Sequence, residues 1–257
     1  MRRFSLSLAF FIFLVILIVL IRLIIYPPLP ALATSLASPE IRFAIVLSLV
    51  TSTVSTAICV ALAIPASYAL ARYNFPLKKL VNLVLTIPLA LPPLVAGIAL
   101  LIFFGTTAWG KALDSLGFAV VFTPLGIVVA EVFVNLPYMI RILKSSYAAI
   151  NPRYENVAKT LGCTDTGAFL QVTLPLARPG LIAGTTITWA KSMGEFGAVL
   201  MLAGATTMRT ETLPIALYLN LSTGDLDLAV AASVILILIS LAALFVVEHF
   251  SDEAHVF

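Results

Sequence analysis

Residues 151–180 read NPRYENVAKTLGCTDTGAFLQVTLPLARPG, and this one long polar segment interrupts an otherwise apolar chain. Asn151 followed by Pro152 is typical of a helix start, and Gly162 is typical of a helix end. An apolar stripe recurs between them at i, i+3, i+4 and i+7: Tyr154, Val157, Ala158 and Leu161. The sequence therefore predicts a first short amphipathic helix of about ten residues.

A second short helix is predicted to begin at Thr164 and Asp165 and to end at Pro175. Two short helices cannot bury their apolar stripes against each other alone, so another surface has to cover them. One alternative is that they fold back on the helix ends of the same chain. The other is that they form a docking surface for a separate partner.

The composition places nearly the whole chain in a membrane. Of 257 residues, 61% are hydrophobic and 11% are charged, whereas soluble domains carry about 25% charged residues. The net charge of +3 is explained by basic residues on the inner side of the membrane and does not indicate that the chain binds nucleic acid. We predict an all-α, polytopic membrane protein with a single transmembrane domain over residues 1–257.

Six segments are long and apolar enough to cross a bilayer core, which needs roughly 20 residues of helix. They cover about 6–25, 43–70, 80–104, 119–142, 180–202 and 228–247, with the core helices at 43–247. The first is expected to be a retained helix, because its apolar run exceeds that of a signal peptide and no cleavage site follows. Kinks are expected where prolines interrupt these segments: Pro65, Pro88, Pro92-Pro93 and Pro137.

Basic residues predict the orientation in the membrane. With the N-terminus inside, the inner side collects Arg2, Arg3, Arg72, Lys78, Lys79, Arg141, Lys144, Arg153, Lys159 and Arg178. The outer loops then hold Arg42, Lys111 and Arg209. Both termini and the loop at 143–179 are therefore predicted to be cytoplasmic, in a multi-pass protein of the plasma or inner membrane.

The loop resembles one found in permease subunits of binding-protein-dependent ABC importers. That loop, the EAA motif, reads Glu-Ala-Ala, three residues, Gly, nine residues and Ile-x-Leu-Pro. Here Asn156-Val157-Ala158, Gly162 and Val172-Thr173-Leu174-Pro175 keep the spacing. The motif's Glu is replaced by Asn156, although Glu155 stands one position earlier.

The resemblance implies a type I ABC importer permease fold, in which this loop is a coupling helix seated in a groove of a separate ATPase. The residues expected to dock are Glu155, Asn156, Val157, Ala158, Gly162, Phe169, Leu174 and Pro175. The resemblance further implies a second copy of the chain, two ATP-binding subunits at the cytoplasmic face and an extracytoplasmic oxyanion-binding protein. No cofactor, metal or catalytic residue is expected in this chain, because ATP and Mg would be bound by the partner ATPase.

Two further stretches are similar to the molybdate and tungstate branch of these permeases. Residues 189–198, WAKSMGEFGA, resemble a Trp-Ala-Arg-x-x-Gly-Glu-Phe-Gly-Ala pattern of that branch, whereas sulfate permeases tend to carry Glu-Tyr-Gly-Ser. Residues 212–218, TLPIALY, match the same branch. The resemblance implies molybdate or tungstate as the transported oxyanion, with sulfate, thiosulfate or another oxyanion as the alternative.

Polar residues inside the membrane segments are candidates for the translocation pathway. One stripe steps along the fifth segment and a second along the second segment. The candidates are Thr185, Thr188, Lys191, Ser192, Glu195, Ser52 and Ser55. Such small polar residues either pack helices together or line a path for the solute, and both alternatives stay open.

Glu131 and Lys191 fall midway through the fourth and fifth segments, at similar depth. Charge at the bilayer centre costs roughly 2.5–3.5 kcal/mol on insertion scales, so each requires a partner or water. We expect a salt bridge between them, with Lys191–Glu195 as the other pairing.

Two other classes of function, a secondary transporter and a membrane enzyme, fit this sequence less well than a passive pathway subunit. A secondary transporter would show an inverted repeat, and none is evident among the six segments. A membrane enzyme would carry a motif such as H-E-x-x-H or G-x-S-x-G, which this sequence lacks. The sequence also has no G-x-x-x-x-G-K-[ST] phosphate loop, so ATP chemistry has to come from another subunit.

Overall fold

The computed structural model describes residues 2–26 and 34–252. All regular secondary structure in these residues is helical. Its helices are α1 (Arg2–Ile25), α2 (Pro39–Arg72), α3 (Lys78–Ala90), α4 (Pro93–Thr106), α5 (Ala108–Ser115), α6 (Pro124–Ala149), α7 (Arg153–Thr160), α8 (Asp165–Ala168), α9 (Leu174–Leu176), α10 (Arg178–Met193), α11 (Gly197–Ala203), α12 (Leu213–Thr223) and α13 (Leu226–Asp252). A π-helical turn, Phe169–Thr173, joins α8 to α9. The predicted all-α class is confirmed.

The number of membrane spans is only partly settled by helix length. Within the described residues, α1, α2 and α6 are each long and apolar enough to cross a membrane. The pair α3 and α4 becomes a fourth span if both halves are counted together, although they are bent by 113°. The predicted fifth span is divided into α10 and α11, and α13 contains an apolar helical segment over 226–242. The count of six stays a prediction.

Only one of the four proline sites breaks a helix. Pro92 and Pro93 separate α3 from α4, because two successive residues lack a backbone N–H and the preceding Leu91 is held extended, with ψ of 138°. Pro65, Pro88 and Pro137 lie inside α2, α3 and α6 without ending them. The kinks expected at these three positions stay predictions.

Helix α6 is the centre of the bundle, and over half of the residues in its apolar stretch are buried. It packs along α2 on one side and against α10, α11 and α4 on others. One apolar core cluster joins α4, α6 and α11 through residues such as Leu100, Ile127 and Leu202. Another joins α2 and α6 around Met139, Leu143 and Tyr147. These contacts fix the end of α2 and the end of α6. The polar loop follows α6 along the chain.

The two broken helices meet close to their breaks. A Cβ placed on Gly97 of α4 would lie 2.8 Å from Cα of Ala198 in α11. A Cβ on Gly197, at the start of α11, would lie 2.9 Å from Cβ of Pro93, at the start of α4. Contacts this short leave no room for a side chain, so glycine is required at both positions for the helices to approach.

Candidate functional site

The polar loop forms the first predicted short helix as α7, whereas the second helical segment runs from Asp165 through Leu176 and passes Pro175, which was predicted to end it. Asn151 Oδ1 accepts a hydrogen bond of 3.0 Å from the backbone N–H of Arg153 at the start of α7. Gly162 ends the segment with φ of +95°, a conformation that glycine adopts without a Cβ penalty. Thr164 Oγ1 then accepts from the N–H of Gly167, 3.1 Å away, and caps α8.

The inner face of the loop is fastened to α2 through Glu155. One oxygen of its carboxylate accepts from Arg72 Nε at 2.8 Å and from Thr173 Oγ1 at 2.7 Å, and the other accepts from Tyr68 Oη at 2.8 Å. Arg72 also donates to the carbonyl of Ile150 at 3.0 Å. Glu155 is only 5% exposed. The network joins α2, the end of α6, α7 and the π-helical turn.

The environment of Glu155 favours its charged form. Burial alone would raise the pKa of the Glu155 carboxyl. The hydrogen bonds from Thr173, Tyr68 and Arg72, together with the positive charge of Arg72, outweigh this and lower the pKa below its usual value. The carboxylate is therefore ionised at neutral pH and cannot at the same time serve as an exposed contact for another protein.

Aromatic rings reinforce the same attachment. The ring of Phe169 lies 4.6 Å from that of Tyr68 and 6.0 Å from that of Tyr147, measured between centroids. Tyr68 and Tyr147 belong to α2 and α6, so Phe169 packs against the ends of both long helices. The fold-back alternative therefore describes the inner face of the loop correctly.

The outer face of α7 stays uncovered within the chain. Tyr154 is 59% exposed, Val157 57% and Leu161 81%. Ala158, which was predicted to share this stripe, is buried instead, because it lies at the edge of the stripe that adjoins Glu155, three residues away on the inward side. The two faces are thus distinct, one fastened inward and one apolar and open.

The structure sorts the residues predicted to dock into these two faces. Asn156 and Val157 are exposed on α7, and Pro175 is exposed on α9. Glu155 and Ala158 are buried, and Phe169 and Leu174 are half-buried. The role of each in docking stays a prediction, but three of the candidates hold the loop in place: Glu155, Ala158 and Phe169.

The candidate pathway residues on α2 and α10 mostly lie between helices of the chain. Ser52 and Ser55 are buried on α2, where their hydroxyls donate to the carbonyls of Leu49 and Ser52. Ser192 accepts from Asn135 Nδ2 of α6 at 3.0 Å, and Thr188 faces Met139. These contacts are those of helix packing, and the proposed contact with a solute stays a prediction.

Thr185 and Glu195 have other surroundings. Thr185 lines an apolar groove of about 840 Å³ between α2, α10 and α13. Glu195 lies in the break between α10 and α11, where its Oε1 accepts from the N–H of Ala198 at 3.0 Å. Its side chain therefore lies at the start of α11 and satisfies one of the N–H groups that a helix N-terminus leaves without a partner.

The expected salt bridge between Glu131 and Lys191 is wrong. Glu131 Oε1 accepts from Thr51 Oγ1 of α2 at 3.2 Å, while the Lys191 ammonium lies 4.1 Å from the ring centroid of Tyr138. The ion pairs in the described ranges are Arg72–Glu155 and Lys159–Asp165. Similar depth along two helices did not determine which faces the side chains occupy.

Several residues of these networks were missed in the sequence. Arg72 was counted only toward the orientation, and Tyr68 and Thr173 carried no separate signal. Asn135 follows Glu131 by one helical turn, and such an i, i+4 pair of polar residues in an apolar helix was a usable signal for a buried hydrogen-bond network.

These features together define a membrane transport component with a structured loop between its long helices. The chain belongs to the family described as binding-protein-dependent transport system inner membrane component, which matches residues 63–254. It is the permease subunit of an ABC importer, a membrane component rather than a catalytic enzyme.

Relatives of this chain are permease proteins of molybdenum and sulfate transport systems. The chain is 38% identical to the molybdenum transport system permease protein ModB of Mycobacterium tuberculosis over 206 residues, which is 80% of this chain and 78% of the relative. It is 33% identical over 223 residues to a probable molybdenum ABC transporter permease of Haloferax volcanii, covering 85% and 78%. It is 35% identical over 180 residues to the sulfate transport system permease protein CysT of Salmonella typhimurium, covering 70% and 65%.

Solved structures with the same fold are bacterial ABC transporters. A chain from the bacterial importer of the polysaccharide alginate superposes with a TM-score of 0.77 at 17% identity, covering 97% of this chain and 94% of that one. A chain from the inward-facing MetNI methionine transporter gives a TM-score of 0.65 at 16% identity, covering 84% and 99%. The predicted type I importer permease fold is confirmed.

Proposed function

We propose that this chain is the transmembrane subunit of an ATP-driven importer for molybdate and tungstate. The observation that supports this cargo is the 38% identity to a molybdenum permease over four fifths of the chain. The second molybdenum relative, at 33% identity over 85% of the chain, supports the same class. Both cargoes are tetrahedral dianions of nearly equal shape, so the two are proposed together.

Sulfate is the second candidate, because a sulfate permease is 35% identical over 70% of the chain. An uptake assay distinguishes the two candidate cargoes. It measures labelled molybdate, tungstate and sulfate entering proteoliposomes that hold the complete complex and ATP. Molybdate and tungstate are expected to compete with each other for uptake and to outcompete sulfate. Sulfate uptake that excess molybdate leaves unchanged would contradict the proposed cargo.

We infer that the loop of each copy of the chain docks one separate ATPase subunit at the cytoplasmic face, so that two copies dock two ATPase subunits. Its inner face is fastened by Glu155 and its outer face presents Tyr154, Val157 and Leu161 to the exterior of the chain. A rigid attachment with an open apolar surface is suited to transmit movement of a bound partner to α2 and α6. ATP and Mg would be held by that partner.

A substitution on the open face tests this docking. Leu161→Asp is expected to abolish co-purification of the ATPase without lowering the melting temperature, because the side chain is 81% exposed and supports no internal packing. Leu116→Asp is the matched control, since Leu116 is 72% exposed but follows α5, far from the loop in sequence. Retention of the ATPase by the Leu161→Asp variant would refute the docking surface.

We further infer a homodimer with both termini cytoplasmic, which receives its cargo from an extracytoplasmic oxyanion-binding protein. Helix α1 leaves an apolar surface for a partner in the bilayer, because no residue of its described apolar stretch is buried within one chain. The solved complex of the alginate transporter with a periplasmic protein supports a soluble partner of that kind. Mass measurement of the detergent-extracted complex is expected to give two permease copies for two ATPases.

A further inference from the structure

A small, partly enclosed cavity of about 260 Å³ lies between α3 and α6. Asn82 and Thr86 of α3 provide polar groups on one side, and Arg141 and Lys144 of α6 provide two cations on the other. The remaining lining is apolar and includes Pro137 and Ile140. None of the residues that line the cavity belongs to the Glu155 network or to the polar residues proposed for the pathway.

The free hydrogen-bonding capacity of this cavity consists largely of donors. Lys144 Nζ donates to Asn82 Oδ1 at 2.6 Å, which occupies the amide oxygen and leaves its NH₂ group as a donor. The ammonium keeps two further N–H groups, and the Arg141 guanidinium offers five. No acidic residue lines the cavity, and neither cation takes part in the ion pairs of the described ranges.

The basic residues of an inner membrane loop are ordinarily explained by topology alone. Topology accounts for cations near the end of α6, but it does not explain why two of them border the same cavity as an amide. Arg141 and Lys144 are at i and i+3, so they lie on one face of the helix and repel each other. An anion between them would remove that repulsion and would satisfy the free donors.

We propose that this cavity binds a tetrahedral oxyanion at the membrane surface where α3 begins and α6 ends. The volume is below the roughly 300–1,000 Å³ of sites for drug-sized ligands, but it accommodates one small anion with a few waters of about 30 Å³ each. Arg141 and Lys144 supply the charge, and the amide of Asn82 supplies a directed donor. The site does not depend on which oxyanion the chain transports.

Two sources supply this chemistry at such a position. One is a free dianion in the aqueous phase, and the other is the phosphodiester of a membrane lipid. The test uses the complete transporter in nanodiscs of phosphatidylcholine, with labelled orthophosphate and molybdate as free probes in equilibrium dialysis. A second arm uses nanodiscs that also contain phosphatidylglycerol, followed by detergent extraction and mass spectrometry of retained lipid.

The comparison is made between Arg141→Gln, Lys144→Gln, Lys144→Arg and the control Lys79→Gln. Lys79 lies on α3 at the same end but is exposed and does not line the cavity. Binding of the free probes is expected to weaken by roughly tenfold or more in the two Gln variants, since each loses a charge-assisted hydrogen bond, and to persist in Lys144→Arg and Lys79→Gln. Anion bound by the ATPase subunits is common to all variants and cancels.

If the source is lipid, binding of labelled orthophosphate and molybdate does not depend on Arg141 or Lys144. Phosphatidylglycerol is then retained by the parent and by Lys79→Gln but is lost from Arg141→Gln. If neither the free anions nor the lipid depend on Arg141 and Lys144, the proposal is overturned. Arg141→Gln keeps the test decisive should Lys144→Gln fold poorly, since it is expected to lose binding independently. ATP-driven uptake is measured separately, so a failure of this site and a failure of the proposed cargo are told apart.

Discussion

Arg72 Nε lies 2.8 Å from Glu155 Oε1, and this ion pair ties the end of α2 to the loop helix α7. The two side chains are 10% and 6% exposed, which makes this the more buried of the two ion pairs in the described ranges. The pair is separated by 83 residues in the sequence. Movement of α7 therefore acts directly on α2 without passing through α6.

Removing Arg72 is expected to destabilise the protein strongly. Arg72→Leu leaves the Glu155 carboxylate without its cation, at a cost of about 2–3 kcal/mol, somewhat less than for a fully buried pair because both groups retain some contact with water. Thermal unfolding of the purified complex measures the effect. Lys159→Gln is the control, since its ion pair with Asp165 is exposed, and it should melt like the parent. Equal melting of Arg72→Leu and the parent would contradict the structural role of the pair.

The same network predicts a dependence of stability on pH. The pKa of Glu155 is lowered in the folded protein, so its contribution is complete above the unfolded pKa of about 4.3 and is lost as the pH falls through the folded pKa. The difference in melting temperature between the parent and Glu155→Gln should therefore be constant at neutral pH and shrink in acid, below about pH 4. A difference that stays the same down to pH 3 would be inconsistent with the lowered pKa.

Gly162 is expected to be required for the loop but not for insertion into the membrane. Its φ of +95° is inaccessible to proline, which is fixed near −65°, so Gly162→Pro disrupts the turn between α7 and α8. We expect loss of ATP-driven uptake with a normal amount of protein in the membrane. Gly117→Pro imposes the same conflict at φ of +86° in the segment between α5 and α6, and it should leave ATPase co-purification intact. Normal uptake by Gly162→Pro would argue against the loop as the driven element.

Lys191 is expected to contribute little to stability. Because it lies over the Tyr138 ring and is not paired with Glu131, Lys191→Met should cost about 1 kcal/mol, the scale of a cation–π contact. Glu131→Ala should cost more, since it removes the acceptor for Thr51 and opens a buried space, whereas Glu131→Gln retains an acceptor for that hydroxyl. A Lys191→Met variant as unstable as Glu131→Ala would restore the ion-pair interpretation.

The sequence predicted those features that depend on local order along the chain. The ends of α7 followed from Asn151 and Gly162, and the break in the third segment followed from Pro92 and Pro93, because caps and prolines act on their immediate neighbours. The spans formed by α1, α2 and α6 followed from length and hydropathy in the same way, whereas the count of six stays a prediction.

The sequence failed where the outcome depends on how helices rotate against one another. Glu131 and Lys191 lie at matching depth, but depth along a helix does not determine which face a side chain occupies, and the two face different neighbours. Arg72 and Glu155 are far apart in sequence, so only the packing of α2 against α6 brings them together. Ala158 was assigned to the open stripe of α7 and is buried for the same reason.

The close approach of α4 and α11 gives the two broken helices a shared hinge. Gly197 begins α11 against Pro93, which begins α4, and Gly97 meets Ala198 one turn further along. Since neither glycine has room for a side chain, the half-helices cannot slide apart by a small amount and still pack. A displacement of α4, which follows Pro92, is therefore expected to be accompanied by a displacement of α11, which follows Glu195.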